Sequence, residues 1–506
     1  MKLSGDNWPK LVKIQVERSH ISRSLMIVLL ALSLSGFVCG RLSPQPTPVT
    51  STPEPEQAPQ IEAEISRKSD DEVGPSILPI AEAAESPPTR LRDEQGRIRE
   101  TRAVWTWDGR FAESKEDIDH LVELVDLAHL NVILFGVYAQ GTTYFEPSHN
   151  RFPDPNERLT NQSPFAEQGY PDSLSYLLKI RDERRMDDDP TNDFEVQAWF
   201  TIHQGGVNTQ GWPPPNRNQP YMLNSLFPEF QQKFGPYYQR NDKDFVRHDV
   251  SVMHQPKFRA YMTDLITGLF EDYNVDGVHL DFIRTGGICF NDEILDYPGT
   301  AFDYLGCQAD YRAWTEANFG RPYTLWQDTD GNREIQDEGS GRVASWLEDA
   351  VNQMVEMVHT EVKKLNPNYV ITAAIPKGAN DRLESAEGQA PEIWLEQGWV
   401  DAVFILAYYQ ETQIGKLQQY LDLVSVADQA RVFAGLAVYD FDTREPWDNV
   451  FEQIDAVMFN DRPDQKLSTP LRGVGLFRGE HLTEENARAI GQGPFAEPAV
   501  PFWGEN

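Results

Sequence analysis

The run NVDGVHLDFIRTGG, residues 274–287, decides how the rest of the chain is read. Val275, Val278 and Leu280 are apolar, and two aspartates bracket them, Asp276 where the run begins and Asp281 where it ends. A short apolar run closed by paired glycines reads as a buried strand feeding a glycine-rich loop. Side chains two apart on a strand share a face, so His279 and Asp281 are expected to point the same way. In a parallel α/β sheet the chemistry sits at the C-terminal strand ends, which is where Asp281 falls. Asp276, at the other end, is expected to be structural, and Arg284 to help keep Asp281 ionised.

Outward from this run the pattern repeats. RAVWTW (102–107), NVILFGVYA (131–139), FEVQAWFTI (194–202), YVITAAIP (369–376), VDAVFILAYY (400–409), RVFAGLAVY (431–439) and RGVGLF (472–477) bring the count of buried strands to eight. Between them apolar residues recur at helical spacing, as in Ile118, Leu121, Val122, Val125 and Ala128, or Leu347, Val351, Met354, Val358, Val362 and Leu365. Strands that alternate with helices imply a parallel sheet. Eight such units over 96–495 predict an α/β fold, a (β/α)8 TIM barrel with long loop insertions. No glycine-rich phosphate fingerprint follows the first strand, which argues against the competing doubly wound, dinucleotide-binding sheet.

The chain has 506 residues with 45 Lys plus Arg against 79 Asp plus Glu, a net charge of −34. Such a surface repels nucleic acid and anionic lipid, and no nucleic-acid partner is expected. Residues 1–40 join a basic stretch to LMIVLLALSLSGFVC (25–39), which reads as a signal peptide or an uncleaved membrane anchor. The segment 41–95 is rich in Pro, Ser, Thr and Glu and is expected to be a disordered linker. The domain is therefore expected outside the cytoplasm, secreted or held at the outer face of the membrane. Export permits a disulfide between Cys289 and Cys307, with two free thiols as the alternative.

The eight strand ends collect a consistent set of side chains. Candidates to bind substrate are Trp107, Asp108, Tyr138, Gln140, Trp199, His203, His279, Arg284, Lys377, Tyr408, Tyr409, Gln410 and Tyr439. Apolar sugar faces stack on aromatic rings while carboxylates and amides hold hydroxyls, so the set points to a polysaccharide or oligosaccharide. Glycoside cleavage needs two carboxyl groups flanking the bond: Asp281 is expected to be the nucleophile or charge stabiliser, and the general acid is expected among Glu411, Asp440 and Glu480. Any one rim aromatic is core more often than ligand; the assembly is the signal. A barrel that binds glycan without cleaving it is the alternative function. No cofactor is expected. DTDGNREIQDE (328–338) offers a weak calcium loop in Asp328, Asp330 and Asn332, but Arg333 and Gly339 replace the usual Gly and Glu, so a solvated acidic insertion is the better reading.

RAVWTW, NVILFGVYAQGTTYF, VQAWF, NVDGVHLDFIR, WLEQGWVDAVFILAYY and RGVGLF resemble, in order, the characteristic blocks of the bacterial glycosyl hydrolase-like family 10. That resemblance implies an exported glycosidase-like (β/α)8 barrel with links to cell-wall glycan strands, and it supports Asp281 as the functional carboxylate. Where the family commonly has a second Asp this chain has Phe282, and where it often has Asn on the third strand this chain has Thr201. The strand-four pattern is also similar to those of the alpha-amylase group and of chitinase-like proteins. The former's strand-five Glu is absent here, and Ile283 stands where the latter's acid lies.

Overall fold

The computed structural model describes residues 90–106, 114–139, 142–143, 145, 165, 169–187, 189–202, 253–285, 307–329, 332–335, 341–376, 388–409, 412–440, 443, 445–447, 449–460 and 466–503. The N-terminal apolar run and the linker as far as residue 89 lie outside these residues; residues 90–95, expected to be linker, pack on the barrel floor, with Arg90 paired to Glu100 at 2.6 Å and Leu91 against the inner layer. Eight parallel strands form the centre: β1 (Thr101–Thr106), β2 (Val132–Ala139), β3 (Glu195–Thr201), β4 (Gly277–Asp281), β5 (Val370–Pro376), β6 (Ala402–Leu406), β7 (Val432–Ala437) and β8 (Gly473–Phe477). Each pairs with its sequence neighbours, and β1 pairs with both β2 and β8, so the sheet closes on itself. This is the (β/α)8 barrel expected from the alternation of buried runs.

The helices are α1 (Lys115–Leu127), α2 (Ser173–Arg185), α3 (Pro256–Asp272), α4 (Cys307–Phe319), α5 (Arg342–Leu365), α6 (Pro391–Glu396), α7 (Ile414–Leu423), α8 (Val450–Ile454) and α9 (Glu484–Gln492). The start of α1 shows why the chain turns helical there. The Ser114 hydroxyl accepts the Asp117 amide N–H at 3.2 Å, and Ile118, Leu121, Val122 and Val125 then bury one stripe against the sheet.

Two apolar layers result. Outside the strands a large cluster packs sheet against helices. Inside, Ala103, Trp105, Val132, Leu134, Trp199, Phe404 and Phe433 fill the barrel. Trp105 is the bulkiest wedge, and Gly475 on β8 makes its room: a Cβ there would sit 2.3 Å from the indole. The C-terminal segment closes the floor. Ala499–Val500 pairs in parallel with Ile98–Arg99, and Phe502 and Trp503 pack up into the inner layer. Buried Arg102 ties this seam together, donating to the Glu497 carbonyl at 2.8 Å and to the Glu100 carboxylate at 3.0 Å.

Asp276 lies at the floor end of β4. Arg181 and Arg185 on α2 donate to its two oxygens at 2.9 and 2.8 Å, and the Val196 N–H donates at 2.8 Å. The expected structural role is a clamp that fixes α2, β3 and β4 together. Gly277 follows because a Cβ there would lie 2.3 Å from the Val370 carbonyl.

The segment read as a weak calcium loop is a two-stranded antiparallel hairpin, Trp326–Thr329 against Asn332–Ile335. Thr329 pairs with Asn332, so only residues 330 and 331 join the strands; Asp-Gly is a preferred dipeptide for such a connection. A hairpin accounts for the backbone at Asp328 and Asn332; Asp330 lies outside the described residues.

Candidate active site

Asp281 ends β4 on the inward face. Its register partner is Thr201, and its carbonyl accepts the Ile202 N–H at 2.8 Å, so the strand is anchored up to its last residue. The next residue, Phe282, takes the left-handed backbone conformation at φ +50°. For a bulky side chain this costs about 1–2 kcal/mol. It turns the chain so that the Phe282 N–H donates back to Asp281 Oδ1 at 2.7 Å. Trp199, two residues before the end of β3, donates its indole N–H to Oδ2 at 3.1 Å. Both donors are neutral. Arg284 supplies attraction through space while its guanidinium lies over the Phe282 ring at 4.5 Å. Burial outweighs these three effects and pushes the Asp281 carboxyl up to about 6.

Aromatic rings wall this carboxyl. Tyr408, just past β6, stacks on Phe477 with centroids 4.6 Å apart, Phe477 lies 6.4 Å from Tyr439, and Tyr439 stacks on His481 at 3.9 Å. Desolvation, and then the charges of Asp281 and Tyr439, raise the Tyr408 phenol well above its ordinary range. Tyr408 therefore stays a neutral donor beside Asp281 at any working pH.

One turn of the strand below, His279 belongs to the barrel interior. Its Nε2 accepts the Trp105 indole N–H at 3.0 Å. Its Nδ1 therefore carries the proton and donates to the Thr372 hydroxyl at 2.8 Å, which donates on to Gln197 at 2.8 Å. Burial holds the imidazole down to about 3, so it stays neutral. Both ring nitrogens are used and the residue has no exposed surface, which makes His279 a support beneath the rim rather than a contact for substrate.

Tyr138 also departs from its expected place. The register slips between Gly136 and Tyr138, so that Gly136 pairs with inward Trp199 but Tyr138 pairs with outward Phe200. This bulge turns Tyr138 into the helix-facing layer, where its ring stacks on Phe200 at 5.8 Å. Its hydroxyl is buried without a hydrogen-bond partner among the described residues. Strict alternation would have kept it inward. Trp199 is inward but only 2% exposed, so it acts on Asp281 and not as a sugar platform. Thr201, at the position where Asn is usual, donates its hydroxyl to the Tyr138 carbonyl at 3.0 Å.

Of the remaining carboxyl candidates, Asp440 is half-buried and its Oδ1 accepts the Thr443 N–H at 2.8 Å. The Glu480 side chain is 4% exposed, with Arg478 Nε at 3.7 Å. Tyr409 is exposed at the rim, with Lys416 over its ring at 4.4 Å. Trp107, Asp108, Gln140, His203, Lys377, Gln410 and Glu411 lie outside the described residues. Cys307 is disulfide-bonded; its partner, like Cys289, lies outside them. The supports that residue-by-residue reading passed over are Gln197, Thr372 and Phe477. Each sits inside an apolar strand, and only the inward phase of that strand marks it. Among the described residues one trio of metal-ligand types, His120, Glu123 and Glu484, brings its atoms within 4.8 Å; all three are exposed on the helical layer.

The model of the family described as glycosyl hydrolase-like 10 matches residues 100–452. The chain belongs to the glycosyl hydrolase-like 10 family. As a member of it, the protein is a glycosidase-like barrel. No curated protein sequence matches the chain. Solved structures similar to it include the PgaB (BpsB) glycoside hydrolase domain from Bordetella bronchiseptica, at 12% identity over 78% of this chain and 98% of that one, with a TM-score of 0.42. The catalytic domain of beta-amylase from Paenibacillus polymyxa matches at 10% identity over 76% and 94%, TM-score 0.46. A GH18 chitinase from Pseudoalteromonas aurantia matches at 11% over 78% and 99%, TM-score 0.35.

Proposed function

We propose that this barrel is an exported glycoside hydrolase acting on a polysaccharide, with Asp281 as the proton donor to the scissile bond. One observation carries the reading. Asp281 is a desolvated carboxyl at the C-terminal end of a barrel strand, held by two neutral donors and raised to about 6. A general acid needs a proton affinity near the working pH, and desolvation supplies it. The protonated carboxyl gives its proton to the glycosidic oxygen as the bond from that oxygen to C1 breaks. The leaving sugar departs as a hydroxyl, and Asp281 is left as a carboxylate that the Trp199 and Phe282 N–H groups stabilise. Neutral Tyr408 donates to the sugar beside it. The second carboxyl, which activates water or attacks C1, is assigned to Asp440, half-buried just past β7, rather than to Glu480, whose carboxylate faces Arg478.

Reducing-end release from a panel of peptide-free peptidoglycan strands, chitin oligomers and alpha-glucans tests the reading, with Asp281→Asn run beside the wild type. Turnover by the wild type that is lost in the variant supports it. Binding without turnover by the wild type would establish the non-catalytic glycan-binding barrel instead.

A further inference from the structure

A thread of hydrogen bonds joins four strands inside the barrel. The Trp105 indole N–H on β1 donates to His279 Nε2 on β4 at 3.0 Å, His279 Nδ1–H donates to the Thr372 hydroxyl on β5 at 2.8 Å, and that hydroxyl donates to Gln197 Oε1 on β3 at 2.8 Å. An indole nitrogen can only donate, so the first bond sets the direction of the others. Turning the Gln197 amide over would make Thr372 accept twice and leave its own proton without an acceptor in the thread.

The thread comes at a cost. His279, Thr372 and Gln197 have no exposed surface, and Gln197 Nε2 has no hydrogen-bond partner among the described residues. Apolar side chains would fill the same layer without an orphaned donor. What the thread adds is a single orientation for the indole, whose χ2 would otherwise have two broad wells.

The benzene edge of that indole, away from its N–H, bears on the rim. Trp105 meets Tyr408 edge-on with centroids 6.4 Å apart and Phe477 at 6.2 Å, and Tyr408 stacks on Phe477. A Cβ at Gly435 on β7 would lie 3.3 Å from both Trp105 Cη2 and Tyr408 Cε1, so this glycine leaves the space in which the two rings meet.

We infer that Trp105 is a positioning residue for the rim. The thread ending on Gln197 locks the indole, and the indole fixes Tyr408 beside Asp281, where Tyr408 donates to the sugar. The inference rests on the proposed glycan-cleaving role and adds to it a buried group that acts on substrate only through Tyr408.

Nitrogen-15 NMR of the His279 ring reads the thread without substrate. Nδ1 should carry the proton; a proton on Nε2 overturns the inference whatever the protein cleaves. Kinetics read the upper end. Thr372→Val keeps the shape and removes the link, and kcat/KM should fall about tenfold, the scale of one misplaced hydrogen bond, with the alkaline limb of the rate profile unmoved. Thr372→Ser keeps the hydroxyl and should keep wild-type kinetics. In a Tyr408→Phe background Thr372→Val should cost less than about twofold, because the hydroxyl it misplaces is already gone. An equal loss in both backgrounds, a limb that moves, or wild-type kinetics in Thr372→Val each overturns the inference. If Thr372→Val does not fold, Gly435→Ala presses on the same ring contact and is held to the same three outcomes. A wild type that binds glycans without cleaving them overturns the hydrolase alone; the cycle is then read in binding constants, where a loss confined to chains with the Tyr408 hydroxyl supports the positioning role and an equal loss overturns it. A wild type that neither cleaves nor binds glycan overturns both.

Discussion

Strand β4 begins after one aspartate and ends on another, and the two are held in opposite ways. Asp276 meets two guanidinium groups at 2.9 and 2.8 Å on the floor. Asp281 meets an indole and an amide N–H at the rim. The floor sets full positive charges against its carboxylate. The rim's direct donors are neutral and Arg284 acts only through space, so burial prevails and the carboxyl is pushed up to about 6. The difference separates a clamp from a reagent, although the two residues are five apart in one short run.

The comparison breaks most clearly on Asp281→Asn. Turnover should fall at least a thousandfold, about 4 kcal/mol in barrier, with the melting temperature nearly unchanged. The amide removes a buried charge but turns an NH2 towards one of the two donors, and these effects oppose each other. A destabilised but active variant would mean that the rim aspartate is the clamp.

Asp276→Ala should do the reverse. It leaves fully buried Arg181 without this partner and should cost about 3–5 kcal/mol by chemical denaturation. Activity per folded molecule should survive. Loss of activity with unchanged stability would refute the assignment.

The pH dependence sharpens the contrast. Folding raises the Asp281 carboxyl from 3.8 to about 6, so the folded state takes up a proton in that window. Stability from this group is complete below 3.8 and declines as pH rises to about 6, by about 3 kcal/mol. A salt-bridged aspartate has the opposite sign. Denaturation midpoints between those two pH values should fall in the wild type and flatten in Asp281→Asn. The same titration should set the alkaline limb of the rate profile, with turnover dropping above pH 6 or so.

Two smaller effects follow. Trp199→Phe removes a donor to the charged form, so the alkaline limb should move upward by about one pH unit, with a rate loss of about tenfold. A change in substrate affinity with the limb unmoved would return Trp199 to the role of a sugar platform. Tyr138→Phe removes a buried hydroxyl that has no partner among the described residues. It should leave activity intact and change stability by less than about 1 kcal/mol, on the favourable side. A large rise in KM would show that the hydroxyl reaches the substrate after all.

All eight barrel strands could be read from the chain because each is a short, nearly unbroken apolar run, the mark of a strand buried on both faces. The polarity of β4 was legible too, since Asp276 and Asp281 mark its two ends. What resisted reading were departures from regular alternation. The slip after Gly136 moved Tyr138 from the inner face to the outer; the lone glycine within the apolar run is its one trace in the sequence. His279 was assigned to substrate because it shares a face with Asp281. That face is correct, but the wedge of Trp105 made possible by Gly475 on the distant β8 closes over it. The donors to Asp281 were hidden for a related reason: one is a backbone N–H aimed by an unusual φ at Phe282.

The seam on the barrel floor has a consequence for how the domain can be handled. Ile98–Arg99 lies alongside Ala499–Val500, and Arg92 reaches Glu497 at 2.9 Å. The domain is thus nearly a ring, its two ends meeting on the face opposite Asp281. A short splice from residue 503 to residue 90 would let the chain be reopened at a surface loop with the strand order preserved as a circular permutant. Whatever is fused at residue 90 or at residue 503 leaves from the floor side of the barrel.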